Sequence, residues 1–327
     1  MRSEQLTLDS YDSDKIRIGY LDVYDPILVP WVDKEIKLLE LGIHKGGSLQ
    51  LWRDYFSRGI IVGIDIKLPE HFVAVERIQL FQGSQADTRF PSEVADKVAP
   101  EGFDIIIDDA SHIGALTKAA FWHLFENHLK PGGLNAIEDW CTGYWDDFPD
   151  GKRFNIANFL ASSVQSLSSE AAAKSMKVPF PCHSYGMVGF VKELIDEHGA
   201  HSIFMKYPAA EHRASKFESV LTTQFIVFVT KVQPTSLTAS PNPVPFGNGP
   251  GQTRISWNTG NTDIGKVYVS INGREELLFT HKREGSKVAK WMTTKRTAEF
   301  GISKNGKTCV VSCVRNQATT PKATAAR

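Results

Sequence analysis

Two short segments place carboxylates directly behind apolar runs: FDIIIDDASHIG at 103–114 and LNAIEDW at 134–140. Both runs read as strands. If those strands are neighbours in a parallel sheet, Asp108, Asp109, Glu138 and Asp139 converge at one edge of it. Carboxylates that close repel one another unless a cation sits among them. Hard oxygen donors in an open site suit Mg²⁺ or a similar divalent ion. Two separate helix N-caps would account for the same residues without a metal. Side chains alternate along a strand, so Asp108 and Asp109 cannot face the same way without a turn. That makes Asp109 the ligand candidate and leaves Asp108 beside a cofactor or buried. His112 follows Asp109 by three residues, at the turn into the next helix. From there its imidazole could take a proton from a hydroxyl near neutral pH. His44, His123, His128 and His183 have no comparable setting and read as structural.

A second constellation begins at the first strand, which runs into Glu40-Leu41-Gly42-Ile43-His44-Lys45-Gly46-Gly47-Ser48. Glycines such as Gly42 and Gly46 at a strand-to-helix turn let the backbone approach a ligand. The spacing is neither the dinucleotide fingerprint nor a phosphate loop, because no G-K-[ST] follows. An acid two positions before the first glycine suits a cofactor with an ammonium group, as S-adenosylmethionine has, and repels pyrophosphate. A plain tight turn is the alternative. Asp65, at the tip of VGIDI, is placed to accept both ribose hydroxyls of an adenosine, or else to cap a helix. Behind the second carboxylate pair, Trp140, Tyr144 and Trp145 lie in WCTGYWDDFPDG. This loop could stack on the faces of a sugar and exclude water, or pack on the core.

The elements that must position these residues alternate. EIKLLELG, IIVGIDI, RIQLFQG, FDIIIDD and LNAIED are strand-like, while GSLQLWRDYFSRG and GALTKAAFWHLFENHLKPGG carry helical spacing and end at Gly or Pro-Gly. This predicts an α/β fold: a Rossmann-like, mostly parallel sheet with helices on both faces, whose ligands lie outside the carboxyl ends of the strands. Helices are expected at 153–177 and 186–198, and FESVLTTQFIVFVTK as a closing strand pair. PTSLTASPNPVPFGNGPGQ reads as a linker or irregular loop. TRISWN, KVYVSING, ELLFTH, KVAKWM, TAEFGIS and CVVSCV then predict a C-terminal all-β, immunoglobulin-like sandwich. The expected organisation is a catalytic domain over 1–232, a sandwich over 233–315 and a disordered tail over 316–327. Trp257, Tyr268 and Trp291 on sandwich strands are either core or stacking surfaces.

The chain has 327 residues, with Lys plus Arg and Asp plus Glu both 37, and no net charge. It therefore offers no overall field for nucleic acid or anionic lipid. The balance is uneven, since Val232–Arg327 holds 14 basic and 5 acidic residues, a net +9, and the preceding part is −9. Four cysteines make no disulfide framework. Cys309 and Cys313 in one strand would hold their Cα atoms about 13 Å apart, too far to bridge. Reduced thiols, no signal-like apolar segment and strand-sized apolar runs point to a cytoplasmic protein without membrane partners. A homo-oligomer stays open.

LLELGIHKGGSLQLW, IIVGIDI, QGSQAD, FDIIIDDASHIG and AIEDWCTGYW, with SDK and GYLDVYDPIL upstream, resemble the metal-dependent class I methyltransferases that methylate sugar hydroxyls on macrolides and other glycosylated natural products. The resemblance covers about residues 12–232. It implies an O-methyltransferase using S-adenosylmethionine and Mg²⁺, with a small-molecule or glycosylated acceptor. It further implies Asp109, Glu138 and Asp139 as metal ligands, His112 as general base, and Glu40, Gly42, Asp65, Gln85 and Asp87 around the cofactor. Ser84 departs from the family, where an acid is expected. The sandwich has no family-derived role. A hydroxylase-type or carbohydrate-binding protein on the same scaffold is the alternative reading.

Overall fold

Strand β1 (Lys37–Leu41) is buried on both sides, with Leu38 facing one apolar cluster and Leu39 the other. The same alternation recurs in β4 (Phe103–Asp108), where Ile105 and Ile107 oppose Ile106. Runs of β-branched residues buried on both faces are what a parallel sheet covered by helices requires. The computed structural model describes residues 1–70, 75–156, 158, 181–206, 215–245, 248–260, 264–292, 297–304 and 307–314. It divides into two compact units, Met1–Lys231 and Val232–Arg327.

In the first unit β1, β2 (Ile60–Asp65), β3 (Ile78–Gln82), β4 and β5 (Leu129–Ile137) run parallel. β6 (Phe217–Thr222) and β7 (Val227–Lys231) close the sheet antiparallel, in the order β3-β2-β1-β4-β5-β7-β6. This is the doubly wound, Rossmann-like α/β arrangement expected from the alternation of strands and helices. The order reverses between β1 and β4, and that switch point opens a crevice at the carboxyl ends. Helices α1 (Asp14–Ile18), α2 (Tyr20–Leu28) and α3 (Gly47–Tyr55) are followed by α4 (Arg89–Val98), α5 (Gly114–Asn127), α6 (Pro149–Phe154) and α7 (Gly186–Lys206). Trp52 on α3 and Tyr24 on α2 are fully buried in one cluster, and Phe121 and Phe125 on α5 anchor the other.

The structure departs from the sequence reading in two places. The helix expected to run to Pro-Gly ends at Asn127, and Leu129–Gly133 instead begins β5. A register shift opposite Phe103–Ile105 absorbs the irregular Pro131-Gly132 stretch. Most of the helix expected at 153–177 lies outside the described residues, as does the tail from Asn316. The supposed linker contributes strand β8 (Ser236–Ser240), because buried Leu237 between exposed Ser236 and Thr238 gives it a two-residue period.

The second unit has two antiparallel sheets. β8, β9 (Gly251–Asn258) and β12 (Glu284–Met292) form one. β10 (Lys266–Ile271), β11 (Leu277–His281), β13 (Ala298–Lys304) and β14 (Lys307–Cys313) form the other. Ile255 and Trp257 of the first meet Val267, Val269 and Phe300 of the second in one cluster, which makes the pair a sandwich. Trp257 is 5% exposed and donates its Nε1–H to the Lys282 carbonyl, so it belongs to the core. Trp291 stacks on Phe300. Among the described residues all four cysteines are free thiols, and no helix is long and apolar enough to cross a membrane.

Candidate active site

The crevice at the switch point is a cavity of about 1210 Å³. Its floor is the β1, β2 and β4 ends, and the segment Tyr11–Asp14 forms part of its wall. Carboxylates outnumber fixed cations along the lining: Asp12, Asp14, Asp65, Glu70, Asp109 and Asp139 face Arg17, Lys45 and Lys67. Such a surface favours a cationic ligand over a phosphate.

Asp109, one residue beyond β4, and Asp139, two beyond β5, come together with His112. Asp139 and His112 both hold left-handed backbones, at φ 54° and 51°. Such conformations are costly for residues with a β-carbon and cluster where a site needs side chains re-aimed. One ligand atom from each of the three lies within 4.8 Å of the others. His112 Nε2 is 3.8 Å from Asp109 Oδ1 and 3.9 Å from Asp139 Oδ2, and its ring meets Phe148 edge-on. Two carboxylates and an imidazole at that spacing are a donor set that fits a divalent cation.

The other two carboxylates point elsewhere. Glu138 is 1% exposed, and its oxygens accept from Lys15 Nζ at 2.6 Å and from Tyr24 Oη–H at 2.6 Å. The sequence reading groups Glu138 with the metal ligands, whereas here both of its oxygens are engaged by the N-terminal segment. Burial pushes the Glu138 carboxyl up, opposed by Lys15. Asp108 is buried beside Gln85, whose Nε2 lies 3.2 Å from Asp108 Oδ2, and burial raises its pKa to about 6. Burial also pushes Asp139 up, while Tyr20 donates to it and opposes the shift.

Around the expected cofactor region, Asp65, Gly42 and Gln85 line the crevice. Asp65 Oδ2 accepts from the Ile43 and His44 amides at 2.6 and 3.2 Å, and Oδ1 from the Lys67 amide at 2.9 Å. A carboxylate has about four acceptor positions, so with three taken one remains for a ribose hydroxyl. Gln85 Oε1 accepts from the Ser111 amide, tying the turn after β3 to the turn after β4. Glu40 is placed differently. It is wholly buried, accepting from Ser48 Oγ–H at 2.7 Å and Trp52 Nε1–H at 3.2 Å. Its acid therefore faces α3 rather than a ligand. Gly46 is the left-handed residue that starts α3, and Asp87 accepts from the Arg89 amide at the start of α4. Neither lines the crevice.

The three aromatic residues also part company. Trp140 donates to the Thr223 carbonyl and packs against the core. Tyr144 meets Phe154 and His183 edge-on, while Trp145 is 47% exposed. His183 is fully buried, with Nε2 2.7 Å from the Gly143 carbonyl oxygen, in keeping with a structural histidine.

Residue spacing did not single out Lys15, Tyr20 or Tyr24. Lys15 is completely buried, 2.5 Å from Asp109 Oδ2, 2.6 Å from Glu138 Oε2 and 3.5 Å from Glu40 Oε1. Burial alone would pull its ammonium down, yet these carboxylates hold it well above its ordinary value. The signal in the sequence was the upstream match of SDK, which holds Lys15, and GYLDVYDPIL, which holds Tyr20 and Tyr24, and it gave no partners.

No protein-family model matches the chain. Over 132 residues it is 41% identical to mycinamicin VI 2''-O-methyltransferase of Micromonospora griseorubida, a stretch covering 38% of this chain and 32% of that protein. It is 40% identical over 132 residues to demethylmacrocin O-methyltransferase of Streptomyces fradiae, with the same 38% and 32% covered. A solved methyltransferase from the mycinamycin biosynthetic pathway, in complex with Mg and SAH, aligns at a TM-score of 0.49 and 29% identity, covering 64% of this chain and 49% of that one. The chain thus spans about a third of the length of the curated relatives it matches. Along that shared stretch it is similar to macrolide and sugar O-methyltransferases.

Proposed function

We propose that this protein transfers a methyl group from S-adenosylmethionine to a hydroxyl of a sugar or glycosylated natural product, with a divalent cation held in the crevice. The observation that carries the reading is the convergence of Asp109, His112 and Asp139 at the carboxyl ends of β4 and β5. The acidic lining and the similarity to sugar-directed O-methyltransferases support it. A volume of about 1210 Å³ exceeds the ~300–1,000 Å³ of a pocket for one drug-sized ligand, leaving room for an acceptor beside a cofactor.

When bound, S-adenosylmethionine supplies an electrophilic methyl and the cation lowers the pKa of an adjacent hydroxyl. The chain's residues do the rest. Asp65 orients the cofactor through the turn it braces, and Asp109 and Asp139 hold the cation. His112 Nε2 stands beside both carboxylates and accepts the proton released by the acceptor hydroxyl, and the adjacent anions stabilise the imidazolium that forms. Phe148 screens one edge of that ring.

The test is incubation with S-adenosylmethionine and a panel of macrolide and aryl glycosides, followed by mass spectrometry for products heavier by one methylene. Transfer that stops in excess EDTA and returns with Mg²⁺ is the expected result. Undiminished transfer in EDTA overturns the metal role, and a chain that binds no S-adenosylmethionine overturns the whole reading.

A further inference from the structure

One short segment reaches three of the four carboxylates at the β4 and β5 ends. Lys15 on α1 reaches Asp109 and Glu138, Tyr20 at the start of α2 donates to Asp139, and Tyr24 one turn later donates to Glu138. Gly19 makes this geometry reachable. It both ends α1 and starts α2 at φ +83°, so two short helices meet at a sharp corner over the cluster. The segment is itself anchored from behind, where Asp25 accepts from Ser3 and from Tyr55 Oη–H at 2.6 Å.

We infer that Lys15 and Tyr20 are positioning residues that set the rotamers of Asp109 and Asp139 from behind, so that this N-terminal segment determines the affinity of the site for its cation. The inference rests on the metal reading above. Asp109 shows how it works. With Oδ2 held by the Lys15 ammonium, Oδ1 is the oxygen left facing His112 and the crevice. Asp139 is fixed the same way, Oδ1 by Tyr20 and Oδ2 toward His112. An ammonium next to a metal site repels the metal, but this one is already matched by three carboxylates, so its net effect is orientation. Partners of this kind behind metal ligands are worth roughly 10–100-fold in metal affinity.

Mn²⁺ binding followed by electron paramagnetic resonance tests this, with S-adenosylmethionine affinity and melting temperature measured on the same samples. Tyr20→Phe and Tyr24→Phe each remove one hydroxyl, and Lys15→Met removes the cation. Expected is about a 10–100-fold weaker Mn²⁺ affinity in Tyr20→Phe and Lys15→Met, with cofactor affinity within about threefold of wild type, and no such loss in Tyr24→Phe, whose hydroxyl reaches Glu138. Lys15→Met leaves buried carboxylates without their cation and risks the fold, so Tyr20→Phe decides, with Tyr24→Phe as its control. Mn²⁺ affinity unchanged in Tyr20→Phe, while Asp109→Asn binds none, overturns the inference and leaves the metal site standing. Wild-type protein that binds no Mn²⁺ overturns the metal reading itself, and the inference with it.

Discussion

A β-carbon on Gly42 would lie 2.0 Å from the carbonyl oxygen of Asp109 and 2.9 Å from Ala110 Cα. Gly42 is thus where the β1 turn and the β4 turn come into contact, and its φ of +91° is one that residues with a β-carbon avoid. The glycine that a sequence reading assigns to ligand approach is needed first for backbone-to-backbone packing. Gly42→Ala is expected to cost at least the ~1–3 kcal/mol of a strained backbone and to displace Asp109. Calorimetric unfolding should show a lower melting temperature, and Mn²⁺ binding should weaken in whatever folds. A variant with wild-type stability and metal affinity would contradict this packing role.

His112 has a kinetic test. His112→Ala is expected to lower kcat by about 10²–10⁴, the usual contribution of a general base. Because the imidazole is also among the three donor atoms that converge, Mn²⁺ affinity must be measured alongside. A rate loss at saturating Mg²⁺ identifies proton transfer, whereas a loss that more Mg²⁺ restores identifies a ligand.

Tyr144 and Trp145 should separate. Tyr144 packs against Phe154 and His183, so Tyr144→Ala is expected to destabilise by about 2–4 kcal/mol, below the cost of deleting a fully buried ring. Trp145 is 47% exposed and touches Phe148, which meets His112. Trp145→Ala should leave the melting temperature nearly unchanged and raise the acceptor KM. The opposite pattern in urea unfolding and steady-state kinetics would reverse the assignment.

Ser92 Oγ lies 2.7 Å from His123 Nε2 and 2.8 Å from His128 Nε2, joining α4 to the end of α5. Burial lowers the His128 pKa, and His123 lowers it further. A folded-state value below the unfolded value near 6.5 favours the neutral ring, so this contribution to stability is present above about pH 6.5 and is lost as pH falls through the folded value. Denaturation at pH 7.5 and pH 5.5 should show a smaller loss for His128→Gln than for wild type. Equal losses would mean that His128 is not part of the acid sensitivity.

The doubly wound sheet was legible because its central strands β1, β2 and β4 are short apolar runs buried on both faces, and burial writes itself into composition. The placement of Asp109, His112 and Asp139 was legible for a related reason, since strand ends at a switch point are where such sheets expose side chains. Glu40 and Glu138 read as crevice groups because an acid beside a glycine or a second acid looks like a binding motif. Their real partners are Ser48, Trp52, Lys15 and Tyr24, and the last two lie more than 100 residues from Glu138 in the chain. No periodicity encodes such a pairing. β8 was missed because the prolines on either side of it, Pro234, Pro241 and Pro243, dominate the local composition, although the alternation around Leu237 was present.

The first unit should stand alone. Its two apolar clusters draw only on residues up to Val229, and the last residue of β7, Lys231, donates to the carbonyls of Phe125, Glu126 and Leu129 at 2.5, 3.1 and 2.8 Å. A cut just after Lys231 keeps those bonds, and a cut before it removes them from the end of α5. We therefore expect residues 1–231 to fold, to bind S-adenosylmethionine and to methylate a small soluble glycoside at a rate within a few fold of the full chain. Ending at Thr230 should lower the melting temperature, because three carbonyls at the α5–β5 corner lose a common donor. If residues 1–231 fold and bind cofactor yet do not turn over, the sandwich contributes to catalysis. If turnover on the small acceptor persists while turnover on a large glycosylated one falls, the +9 sandwich acts on acceptor delivery.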